Sequence, residues 1–158
     1  MVLAVFAGLP GVGKSTLAQQ VGAAMPATVL AVDTVDVALR VYDVTEPRPG
    51  YAAYGVVAAL AETQLLLGHH VIIDAVNPVK GARQLWVDLA DRLDVPLRVV
   101  EVFCGDDDEH RRRARSWADV LKVSAEYEPY VGPRLVVDTF LAKEPVKPVL
   151  NYLTFRTS

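Results

Sequence analysis

The sequence predicts an α/β fold built on a parallel sheet, and three observations carry that expectation. Short β-branched apolar runs alternate along the chain with stretches of helical spacing. Those runs are near-continuous in hydrophobicity, as strands covered on both faces must be. Directly after the first run comes a glycine-rich segment, Gly8-Leu9-Pro10-Gly11-Val12-Gly13-Lys14-Ser15-Thr16, and directly after that a helical pattern begins.

Taken in order, residues 2–6, 27–32, 70–73, 97–103 and 134–137 read as the strands. Residues 14–25, 35–42, 51–67, 81–93 and 107–122 carry the helices, with Gly68 and Pro96 where two of them should stop. Residues 45–50 hold Pro47, Pro49 and Gly50 and form the clearest loop. Beyond Lys143, Pro145 and Pro148 argue against a regular final helix. The run at 2–6 has no basic segment before it and is cut short by the glycines, so it reads as a buried strand rather than a secretory leader. The apolar stretch 51–67 is interrupted by Glu62, Thr63 and Gln64, so no membrane-spanning segment is expected.

At 158 residues and 52% hydrophobic, residues 1–158 suit one domain with one core. The 16 basic and 19 acidic residues leave a formal charge of -3, which offers no broad footprint for nucleic acid or an anionic membrane. Any anion site must therefore be local. The single cysteine, Cys104, excludes an internal disulfide and fits a reducing compartment, which points to the cytoplasm. Cys104 itself ends an apolar run and reads as a small buried residue. His69 and His70 are adjacent and His110 is isolated, so no metal-ligand spacing is present.

The glycine-rich segment matches the phosphate-binding pattern G-x-x-x-x-G-K-[ST] in the strand-loop-helix setting that gives the pattern meaning. Its glycines let successive amide N–H groups converge on phosphate oxygens at a helix N-terminus. The candidate nucleotide-binding residues are Gly8, Gly11, Val12, Gly13, Lys14, Ser15 and Thr16. Lys14 adds a point charge for the terminal phosphates, and Ser15 offers a hydroxyl to a phosphate-bound magnesium ion. Asp33 and Asp74 each follow an apolar run, at the strand ends where parallel sheets bind ligands. Both could face the phosphates, or serve as a helix cap or turn residue. Asp36 is either a further site carboxylate or a solvated first-turn acid. Arg111 and Arg115, four apart, share a helical face that could meet a triphosphate or lie on a solvated surface.

These features, together with Ile73-Asp74-Ala75-Val76-Asn77-Pro78, Cys104 through Arg115, Tyr127-Glu128-Pro129 and Arg134-Leu135-Val136-Val137-Asp138-Thr139, resemble a family. It is that of small P-loop kinases described as AAA-domain or ATP-binding proteins, relatives of the zeta toxins, chloramphenicol phosphotransferase and bacteriophage polynucleotide kinase. The resemblance implies a three-layer sandwich with a five-stranded parallel sheet of order 2-3-1-4-5 and a short arginine-bearing lid. It implies an ATP-dependent transfer to a hydroxyl of a small molecule, assisted by Mg2+. Lys14 and Ser15 would hold phosphate and magnesium, Asp33 would take the proton of the acceptor hydroxyl, and Asp74 would be the acid on the metal side. Arg111 and Arg115 would be lid arginines, and Asp36 and Arg40 candidate acceptor contacts. Polynucleotide kinases carry an arginine shortly after the base, where this chain has Asp36 and then Arg40, which disfavours a nucleic-acid acceptor. The stretch between Arg115 and Tyr127 is also shorter than in those relatives.

Overall fold

The computed structural model describes residues 1–44 and 50–155, so all but Gly50 of the loop expected at 45–50 lies outside the described residues. Five strands pair in parallel throughout: β1 (Leu3–Ala7), β2 (Ala27–Ala31), β3 (His70–Asp74), β4 (Leu97–Phe103) and β5 (Leu135–Asp138). Their order is β2-β3-β1-β4-β5, as the family resemblance implied. The central strand, β1, is buried at every residue. Its side chains alternate between faces, as a strand requires, so Leu3 and Val5 enter one core while Ala4 and Phe6 enter another.

The second of those cores is closed by α1 (Lys14–Ala24) and α7 (Val146–Thr154), through Leu17, Ala18 and Val21 of one helix and Val149 and Leu153 of the other. The first is closed by α3 (Tyr51–Leu66) and α4 (Lys80–Leu93). Helix α3 buries Ala53, Val57, Ala61 and Leu65, a stripe repeating every fourth residue. Helix α4 buries Arg83, Trp86, Leu89 and Ala90, so its apolar stripe contains one arginine.

Three elements depart from expectation. Helix α2 (Val32–Val41) begins right after β2, so Asp33 sits in a first helical turn rather than at a strand end. The edge strand stops because its last paired residue, Ala31, already faces Asp74, the end of β3, and an acid in a first turn favours the helix dipole. The helix expected over 107–122 is two, α5 (Asp107–Arg113) and α6 (Trp117–Glu126), separated by extended backbone at Ala114. Ser116 causes the break by capping α6, its Oγ accepting the Asp119 N–H at 3.2 Å. Finally, α7 forms despite its prolines. Pro145 is its N-cap and Pro148 lies in the first turn, where the missing N–H would have no partner in any case. No helix among the described residues is long and apolar enough to cross a membrane.

Candidate functional site

The segments that follow β1, β2, β3 and β5 meet along the carboxyl edge of the sheet, which is where the fold exposes unused backbone groups. The loop after β1 is held tightly. Gly8 has φ 148° and donates its N–H to Val76 O at 3.3 Å, and a Cβ there would stand 2.2 Å from Val102 O. Any side chain would therefore push the loop off β4. Gly13 is the N-cap of α1 and provides no side-chain cap. Helices α5 and α6 are capped by Asp106 and Ser116, while α2, α4 and α7, like α1, have no side-chain cap. The first-turn N–H groups of α1 thus lack the usual acceptor, with no acid in that turn, an arrangement that favours an anion.

Lys14 and Asp74 come together at this point, Nζ lying 3.4 Å from Oδ1 with each side chain only 6% exposed. The pair balances charge without a hydrogen bond, so Asp74 Oδ1 is a buried anionic oxygen with no hydrogen-bond donor. Such an oxygen is costly to bury and suits a further cation. Ser15 and Thr16 are exposed on the first turn of α1.

Asp33 is exposed, and Asp36 pairs with Arg40 at 2.7 Å along the surface of α2, where Arg40 is 72% exposed. Tyr54 of α3 stands near Asp33. Burial first, and then the Asp33 carboxylate, push its phenol up to about 12, although the Asn77 N–H, donated to its oxygen at 3.1 Å, works the other way. Tyr54 therefore keeps its proton at neutral pH. A cavity of about 520 Å3 lies on the other side of the loop, bordered by Leu9, Glu101, Phe103, Tyr127 and Val136. It opens beside β4 and β5 rather than beside Asp33, which follows β2.

The break at Ala114 removes the shared helical face expected for Arg111 and Arg115. The Arg111 guanidinium lies over the Trp117 ring at 5.1 Å, and Arg115 is outside both helices. The arginine that reaches toward the loop is Arg113, whose Nη1 donates to Thr139 Oγ1 at 3.0 Å. Thr139 in turn lies 2.5 Å from Val12 O. His110, an isolated histidine in the sequence, is buried with Nε2 2.8 Å from Pro10 O. Cys104 is buried, as expected.

Behind Asp74 stands a polar cluster that sequence reasoning missed. Asn77 is fully buried at φ 52°, its Nδ2 donates to Phe6 O at 3.2 Å, and its Oδ1 accepts the Trp86 indole N–H at 2.7 Å. Arg83 donates to Asn77 O, Pro78 O, Pro129 O and Glu128 O, and its guanidinium stacks 3.8 Å from the Tyr130 ring centre. The Glu128 carboxylate also accepts the Lys80 N–H at 2.9 Å, fastening residues 128–130 to the start of α4. The legible signal for Arg83 was its place on the apolar stripe of α4. A charged residue on such a stripe needs a buried partner set.

A family model described as an AAA domain (AAA_33) matches residues 3–125. The chain belongs to this family. It is a family of small P-loop kinases in fold. No curated protein matches the chain. Among solved structures, Chaetomium thermophilum Kti12 in complex with ADP-AlF3 superposes with a TM-score of 0.75 at 19% identity, covering 97% of this chain and 100% of that one. The Mycobacterium tuberculosis APS kinase CysC in complex with AMPPNP and APS gives 0.71 at 22% identity, covering 98% of each. A gluconokinase from Sinorhizobium meliloti gives 0.69 at 13% identity, covering 96% and 89%. These likenesses establish the P-loop kinase fold.

Proposed function

We propose that this chain is an ATP-dependent kinase that moves the γ-phosphoryl group to a hydroxyl of a small molecule. The observation that carries the reading is the uncapped N-terminus of α1 with Lys14 buried against Asp74 beside it. That arrangement suits a polyanion whose charge must be neutralised as it transfers. The loop N–H groups and Lys14 bind the phosphates. Asp74 Oδ1, buried without a hydrogen bond, and the Ser15 hydroxyl fit a magnesium ion, which when bound would neutralise charge on the phosphate oxygens. Asp33 accepts the acceptor hydroxyl's proton as that oxygen bonds to the γ-phosphorus and the bond to ADP breaks. Tyr54, protonated and near Asp33, donates a hydrogen bond on the same side, with Asp36 and Arg40 at its edge. Arg111 of α5 and Arg115 of the segment before α6 serve as lid cations, each approaching from its own segment rather than from a shared face.

The test is phosphoryl transfer from γ-labelled ATP, with magnesium, to a panel of sugars, polyols, nucleosides and 5′-hydroxyl oligonucleotides. Label should move to a non-polymeric hydroxyl compound. A protein that binds ATP yet labels no panel member does not act as a kinase. A second reading, a nucleotide-dependent switch without a phosphorylated substrate, draws on the contact between Ala114 and the loop, where a Cβ on Gly11 would meet Ala114 Cα at 2.9 Å. It predicts ATP hydrolysis that depends on an added protein rather than on an added hydroxyl compound.

A further inference from the structure

Two carbonyl oxygens of the phosphate loop are held by side chains from distant parts of the chain. His110 Nε2 lies 2.8 Å from Pro10 O. Because a carbonyl accepts only, Nε2 must carry the proton and donate. Thr139 Oγ1 lies 2.5 Å from Val12 O and 3.2 Å from Phe103 O. Its one proton serves the shorter contact, and Arg113 Nη1, donating to the hydroxyl oxygen at 3.0 Å, fixes its rotation.

Both holders are themselves fixed. Thr139 N donates to Phe103 O at 2.9 Å just past β5. His110 is 5% exposed and meets Trp117 edge-on, with ring centres 5.2 Å apart and planes at 85°.

A trans peptide is planar, and the C=O of one residue points opposite to the N–H of the next. Turning Pro10 O toward His110 therefore turns the Gly11 N–H to the opposite side. Turning Val12 O toward Thr139 does the same for the Gly13 N–H. Neither N–H donates to a protein acceptor among the described residues. Both glycines have positive φ, 81° and 91°, and without an external hold this backbone would sample many orientations. We propose that His110 and Thr139 are positioning residues of the phosphate site, forming a two-point brace that aims the Gly11 and Gly13 N–H groups at the bound anion. The proposal rests on the nucleotide reading of the loop and adds what gives that loop its aim. Because α5 supplies both His110 and Arg113, the loop geometry and the lid helix are one mechanical unit.

The experiment compares ADP binding by calorimetry for the full chain and for Thr139→Ser, Thr139→Val, His110→Gln and His110→Leu. Amide spectra of the loop glycines and urea unfolding without nucleotide accompany each. Serine keeps the hydroxyl and glutamine keeps a donor near the Nε2 position, so both should bind ADP within about threefold of the unaltered chain. Valine and leucine leave a loop carbonyl unheld and should weaken binding about tenfold or more. The ADP-induced shifts of the Gly11 and Gly13 amides should persist in the first pair and shrink in the second. Valine and leucine variants that bind within about twofold would overturn the brace, as would serine and glutamine variants that lose as much as the other pair. If His110→Leu does not fold, the Thr139 pair and the glycine amide shifts decide. An unaltered chain that binds neither ADP nor ATP would instead overturn the nucleotide reading.

Discussion

Around the loop itself, Lys14, Asp74 and His110 are buried and the backbone is held by side chains from α5 and from just past β5. On the side of β2, α2 presents Asp33, Asp36 and Arg40 at or near the surface, with one ion pair between two of them. On the kinase reading, the difference follows from what each side must recognise. Phosphate is read by backbone N–H groups, which work only if a rigid frame aims them. An acceptor is read by side chains, which can vary without disturbing the frame.

Four substitutions and one change of pH would break or sharpen that contrast. The largest effect belongs to Lys14→Met, which should lower phosphoryl transfer about 10^4-fold and weaken ADP binding too, since it strips the buried charge from the donor side. Asp33→Asn should cost on the order of 10^3-fold in transfer while ADP affinity stays within about threefold. Equal loss of both would place Asp33 with the donor machinery and erase the contrast. Arg83→Met should destabilise the chain by about 3 kcal/mol in urea unfolding, because Asn77 O, Glu128 O and Pro129 O lose their donor in a buried or part-buried place. Arg40→Ala, by comparison, should change stability by less than about 0.5 kcal/mol, as expected for an exposed ion pair.

A pH titration gives the mildest test. Hydrogen bonds from Arg112, and then from Arg113, hold the Glu109 carboxyl down to about 2 from its ordinary 4.5. A depressed carboxyl contributes its stabilisation above the unfolded value and loses it as pH falls through the folded one. The ties of Glu109 to Arg112 and Arg113 should therefore survive at pH 4.5 and disappear toward pH 2, which carboxyl chemical shifts would report.

Much of this was legible in the sequence because it depends on local pattern. The strand periodicity, the glycine spacing and the position of Lys14 right after Gly13 are consequences of backbone geometry, and the sheet order came through the family resemblance. What escaped depends on competition or on distance. Ser116 capping α6 outweighed the helical continuity of 107–122, and with it went the common face of Arg111 and Arg115. Pro145 and Pro148 read as helix breakers until their positions at a helix start were known. The contacts from His110 to Pro10 and from Thr139 to Val12 span 100 and 127 residues, and no local pattern encodes such a separation.

The guanidinium of Arg83 has a kinematic consequence. It ties Glu128 and Pro129 to Asn77 and Pro78, while at the other end of the same stretch His110 is tied to Pro10. The α6 segment is thus a handle fixed at both ends rather than a flap hinged at one. Displacing it therefore means breaking one of these two anchors, where a flap hinged at one end would need none broken.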